Sequence, residues 1–119
     1  MLRTLAILSG IVLTVVGVLG FIPEFVKDGK LLDIFRINFE HNVAHIASGI
    51  LALLCGLSSS FASKIFFIIG GAVYALLAFM GIVQGHEMLF DMIAVNLASN
   101  YLHAAIAVLF LLIGLGIRV

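Results

Sequence analysis

Disulfides, charge clusters and catalytic motifs are largely missing from this chain. Cysteine occurs once, proline once, and charge is confined to six basic and six acidic side chains among 119 residues. A single cysteine, Cys55, excludes an internal disulfide. With no partner or activating base near it in sequence, it reads as a small apolar residue within a helix. Zero net charge and the lack of a basic tract argue against nucleic acid as a partner. There is no nucleophile–base pair, no phosphate loop and no pair of carboxylates inside an apolar run. Ser9, Thr14 and Ser48 read as helix-contact residues. No catalytic residue is therefore expected, and the chain is not read as an enzyme.

Apolar surface, in contrast, is abundant. The hydrophobic share is 64% and the mean hydropathy +1.33, whereas soluble domains are nearer half apolar. Four runs, Leu5–Ile22, Phe39–Leu57, Ile65–Val83 and Leu97–Ile117, approach the ~20 residues that cross a bilayer. The first outlasts the ~7–15-residue core of a signal peptide and lacks an Ala-x-Ala site, so it is expected to be retained. Pro23 follows it directly, where it cannot extend a helix. The expected fold is all-α, an integral-membrane four-helix bundle forming one domain over residues 1–119.

The runs repeat in pairs. Asn38, Asn42 and His45 recur as Asn96, Asn100 and His103 at an offset of 58, which also maps Gly56 onto Gly114. Upstream, Gly10, Thr14, Gly17 and Gly20 map onto Gly71, Ala75, Ala78 and Gly81 at an offset of 61. A shorter second connecting loop explains the change. The pattern predicts two tandem helical hairpins, about 1–57 and 62–119, related by a pseudo-twofold axis along the membrane normal. Small-residue stripes on the first and third runs would let their backbones approach a neighbour closely.

Four crossings put both termini and the Ser58–Lys64 loop on one side. That side carries Arg3, Lys64 and Arg118 and no acid, while all six acids lie opposite with Lys27, Lys30 and Arg36. The basic count is tied, so the positive-inside rule gives little direction. The placement of the basic residues at helix ends favours cytoplasmic termini in a bacterial inner membrane. His86, in the third connection, reads as a solvated surface histidine.

Asn38 and Asn96 stand where N-caps belong. Asn42 and His45 follow on one helical face, and Asn100 and His103 on the other. The histidines would sit ~10 Å below their caps at 1.5 Å per residue. The leading expectation is a structural Asn/His cluster between helices, near the outer face, with no cofactor. The alternative is a haem- or metal-binding site. His45 and His103 would be axial ligands of a b-type haem, or would join His41 around a transition metal. A transport or proton-relay role would require an oligomer, because four such helices enclose little. Membrane lipid is the expected surrounding, and a homo-oligomer or a membrane-protein partner the remaining class of contact.

Several stretches resemble a bacterial family of small membrane proteins, the domain of unknown function 4383. They are Gly20-Phe21-Ile22-Pro23, Ile34 to His45, the Gly71…Tyr74…Gly81 run, and Asn96-x3-Asn100-Tyr101-Leu102-His103. The resemblance implies four membrane helices and carries no established activity. Members usually show Asp-Asn before the last histidine where this chain has Ser99-Asn100, which counts against a carboxylate-assisted ligand there.

Overall fold

The computed structural model describes residues 1–84, 88–90 and 92–119. His86, Glu87 and Asp91, with the expectation of a solvated His86, lie outside the described residues. Four long helices dominate: α1 (Leu2–Leu19), α2 (Phe39–Ser58), α3 (Ser60–Gln84) and α4 (Leu97–Gly116). Each is long and apolar enough to cross a membrane.

Two of the boundaries that differ from the apolar runs have a local cause. The third helix begins at Ser60 rather than Ile65, because Ser59 Oγ accepts the amide of Ala62 and so caps a polar first turn. The first ends at Leu19, not Ile22. The amides of Phe21 and Ile22 turn back to the carbonyls of Val18 and Leu19, and Ile22 is already extended, as the residue before a proline prefers.

The connections were expected to be polar loops and instead contain small antiparallel sheets. β1 (Val26–Lys27), β2 (Lys30–Leu31) and β3 (Phe35–Arg36) form one, in that order, with Lys27 opposite Lys30 and Leu31 opposite Phe35. Asp28 and Gly29 join β1 to β2 with φ of 53° and 75°. Both are positive, as a two-residue I′ hairpin turn requires. In the third connection β4 (Met88–Leu89) pairs with β5 (Ile93–Ala94). That hairpin lies 58 residues on from β2 and β3, and Leu31 and Leu89 are both buried at the same register position.

Helix packing follows the small residues. The closest contacts join α1 to α2 and α3 to α4, α2 and α3 are next, and α1 and α4 scarcely touch. A Cβ at Gly10 would fall 2.7 Å from the Gly49 carbonyl oxygen, so this crossing requires glycine. Phe66, Phe67 and Phe110 fill the centre, with ring centroids 5.1 to 5.6 Å apart. The outer faces present Val12, Leu54, Phe79 and Leu112, as lipid-facing surface should. At the end opposite the sheets, Arg3 donates to the carbonyls of Gly56 and Leu57, and Lys64 to those of Gly114 and Ile117. Each cation thus closes the C-terminus of the neighbouring helix, where orphan carbonyls and the helix dipole both favour it.

Candidate metal centre

The caps come first, because they position everything beneath them. Asn38 Oδ1 accepts the amide of His41 at 2.9 Å, and Asn96 Oδ1 that of Ser99 at 2.9 Å. Each also reaches across to the other hairpin. Asn38 Nδ2 donates to the Met92 carbonyl at 2.7 Å, and Asn96 Nδ2 to that of Ile34 at 2.9 Å. One turn in, the exchange recurs. His41 Nδ1 lies 2.6 Å from the Ala94 carbonyl oxygen, and Ser99 Oγ donates to the Arg36 carbonyl at 3.2 Å. Ile34 and Met92, Arg36 and Ala94, His41 and Ser99 are each 58 residues apart. The edge strands therefore trade backbone carbonyls for capping side chains in both directions.

Asn42 and Asn100, expected in one cluster with the histidines, pack instead against Gly20 and Gly81. Both are buried, but each faces the seam within its own hairpin. A Cβ at Gly20 would collide with the carboxamide of Asn42, and one at Gly81 with that of Asn100.

Beneath the caps three imidazoles converge. His41, His45 and His103 are 3%, 4% and 2% exposed, and their ligand atoms all lie within 4.8 Å of one another. His41 and His45 stack with centroids 4.8 Å apart and Nε2 atoms at 3.0 Å. A carbonyl only accepts, so His41 carries its proton on Nδ1 toward Ala94 and presents a bare Nε2. His45 Nε2 then holds the shared proton, and its Nδ1 accepts from Tyr74 Oη at 3.3 Å. Tyr74 Oη is 3.0 Å from Ser48 Oγ. His103 differs from both. Its ring lies 5.2 Å from that of His41 and 5.7 Å from that of His45, yet its Nδ1 is buried with no hydrogen-bond partner among the described residues.

The sequence profile of the domain of unknown function DUF4383 matches residues 3–116. The chain belongs to that family. Neither a curated protein nor a solved structure matches it.

In this DUF4383 member the histidine geometry can be tested against both cofactor classes raised by the sequence. A haem between His45 and His103 needs a flat gap between their rings, and the imidazole of His41 stands against both. The flanking cavities, about 90 and 220 Å³, fall below even the ~300 Å³ of small ligand pockets. The residues do not fit a haem. A single ion is another matter. Two nitrogens ~2.1 Å from one tetrahedral ion stand ~3.4 Å apart. The His41 and His45 Nε2 atoms, 3.0 Å apart, already lie within that distance. The widest separation, at most 4.8 Å, has to close by no more than about 1.4 Å. One of the rings already has the outer contact of a metal ligand, His41, whose Nδ1 donates to Ala94. A bound ion would require the His45 proton to move to Nδ1 and be donated to Tyr74.

Two participants were not assigned to this site from sequence. They are Tyr74 and Ser48, the latter expected from sequence only as a helix contact. Their repeat positions are Leu13 and Ile106, so the departure from the repeat was the available signal. His41, opposite Ser99, carries the same mark.

Proposed function

We propose that this is a small, non-enzymatic, multi-pass membrane protein that binds one transition-metal ion through His41, His45 and His103. The observation that carries the reading is the convergence of three buried imidazoles whose ligand atoms all lie within 4.8 Å of one another. His103 Nδ1 is, with Thr14 Oγ1 and Asn100 Oδ1, a buried atom without a partner among the described residues. An ion held by that nitrogen would satisfy it.

The chemistry narrows the ion. Imidazole suits zinc, copper, iron and nickel. Among the described residues no carboxylate joins the cluster, and uncompensated charge is expensive inside a membrane. Copper(I), with one charge, is the best match. Metal analysis of protein purified in detergent, with competition between copper(I) and zinc, tests it. Stoichiometric metal that is lost in His103→Ala is the expected result, and substoichiometric metal indifferent to that change would end the proposal.

The structural role expected from sequence belongs, in this reading, to the asparagines. Asn38 and Asn96 tie the hairpins together, and Asn42 and Asn100 fill the seams. The offsets of 58 and 61, with contacts that recur at them, support descent from a duplicated hairpin. We further propose cytoplasmic termini in a bacterial inner membrane, supported by the acid-free end that holds Arg3 and Lys64. The metal centre would then lie near the outer face.

A further inference from the structure

The turns after β2 and β4 are strained alike. Leu32 follows β2 and Phe90 follows β4, 58 residues on, and both hold a φ of 55°. That left-handed region suits glycine or asparagine, and a bulky apolar residue there is a costly outlier. Neither turn is free to relax. The amide of Ile34 closes on the Leu31 carbonyl and that of Met92 on the Leu89 carbonyl. The carbonyls of Ile34 and Met92 are in turn held by Asn96 and Asn38. Packing does not offset the strain, since Leu32 is 55% and Phe90 60% exposed. Ile34 and Met92 are exposed beside them. Both hairpins thus present large apolar side chains at matching turn positions, largely uncovered by the described residues.

We propose that these turns are lipid anchors: Leu32 and Ile34, with Phe90 and Met92, insert into the phospholipid leaflet at the sheet end of the bundle. Depth favours lipid over a protein partner. At 1.5 Å per residue α1 is about 27 Å long, short of the ~30 Å hydrocarbon core. The apolar layer therefore extends past its end at Leu19. Leu32 lines a cavity with Val16 and Leu19, and in the repeat-related cavity Ile93 stands with Leu77. The sheets accordingly lie beside the helix ends, at the membrane boundary, rather than standing out in water. Apolar exposure is also continuous from the helices to the sheets. Phe21 and Phe39, at the facing ends of α1 and α2, are exposed with rings 5.6 Å apart, and Leu97 and Tyr101 are exposed at the start of α4. Asp33, exposed between Leu32 and Ile34, keeps the insertion shallow, because its carboxylate belongs among the headgroups. No ion or histidine takes part, so the anchors are independent of the proposed metal centre.

The chain has no tryptophan, so Leu32→Trp and Phe90→Trp each place a single reporter in the full-length protein. Lys27→Trp, at the polar end of the first sheet, is the control. Fluorescence is measured in nanodiscs of phosphatidylethanolamine and phosphatidylglycerol, with acyl chains plain or brominated near the headgroup, and with iodide added to the water. Expected for both turn variants are blue-shifted emission, at least twofold quenching by brominated lipid and little by iodide. Lys27→Trp should show the reverse. Ile34→Trp and Met92→Trp, which lie outside the left-handed region, replace any turn variant that lacks the wild-type helical melt. Iodide quenching equal to that of Lys27→Trp would overturn the proposal. Protection from both quenchers, the mark of a turn covered by a second copy or another protein, would overturn it as well.

Discussion

At the scale of single residues, the three histidines have unequal surroundings, and their substitutions should differ accordingly. His45 holds two partners, His41 and Tyr74. His45→Ala leaves His41 Nε2 unpaired and Tyr74 with Ser48 alone, and should cost about 1–3 kcal/mol in the metal-free protein. His103→Ala strands no recorded partner of Nδ1, so its loss comes from packing. It should nonetheless abolish metal binding as completely as His45→Ala. Denaturation in detergent, with and without chelator, separates the two effects, and equal metal-free losses would contradict the asymmetry. Tyr74 acts through His45. Tyr74→Phe combined with His45→Ala should lose less than the sum of the single losses, because both remove the same bond.

Secondary-structure elements are held by paired devices, and the pairs differ in strength. Asn38 bonds the amide of its own helix and two backbone groups of the other hairpin, Met92 and Ala94. Asn96 bonds one of each kind, Ser99 and Ile34. Loss of a cap costs about 0.5–2 kcal/mol, so Asn38→Ala should destabilise more than Asn96→Ala, by roughly the ~1 kcal/mol of one further hydrogen bond. Thermal denaturation of the two variants checks the order. The hairpin seams provide a stricter comparison. Gly81→Leu must displace Asn100, whereas nothing stands within 4 Å of a Cβ at Gly116. The first should fail to fold as wild type and the second should be near neutral, as read by protease resistance in membranes.

For the whole molecule, the proposed metal centre would couple stability to metal and to pH. An ion that binds only the folded bundle adds about 2.7 kcal/mol at a hundredfold excess over its Kd. Imidazole binds a metal only when neutral. The metal-dependent part of the thermal shift should therefore shrink as pH falls and be restored when it is raised. A shift that grows on acidification would point to ligands other than histidine. Orientation is decided separately. A fluorescent reporter fused at Val119 should be active and a phosphatase fusion silent, and the reverse result would place the histidines toward the cytoplasm.

Four apolar runs, one proline just past the first and two Asn/His frames were sufficient to derive the helices and their order. Helix formation in a bilayer follows from composition and length, because every backbone group must be satisfied within the segment. The caps were legible for the same reason, being local: Asn38 and Asn96 act on amides three residues away. Asp28-Gly29 was an equally local hairpin signal.

Tertiary structure alone decided which polar side chains meet. Asn42 and His45 are three residues apart on α2 and share a face by period, yet a few tens of degrees of rotation send one to the α1 seam and the other to the centre. His41, Tyr74 and Ser48 enter the site where the repeat is broken, and periodicity is silent about positions that have no counterpart. The gap between α1 and α4 depends on crossing distances between helices far apart in sequence. Local propensity determines that a helix forms. Only packing among all four fixes its rotation and its neighbours, and the histidine site depends on both.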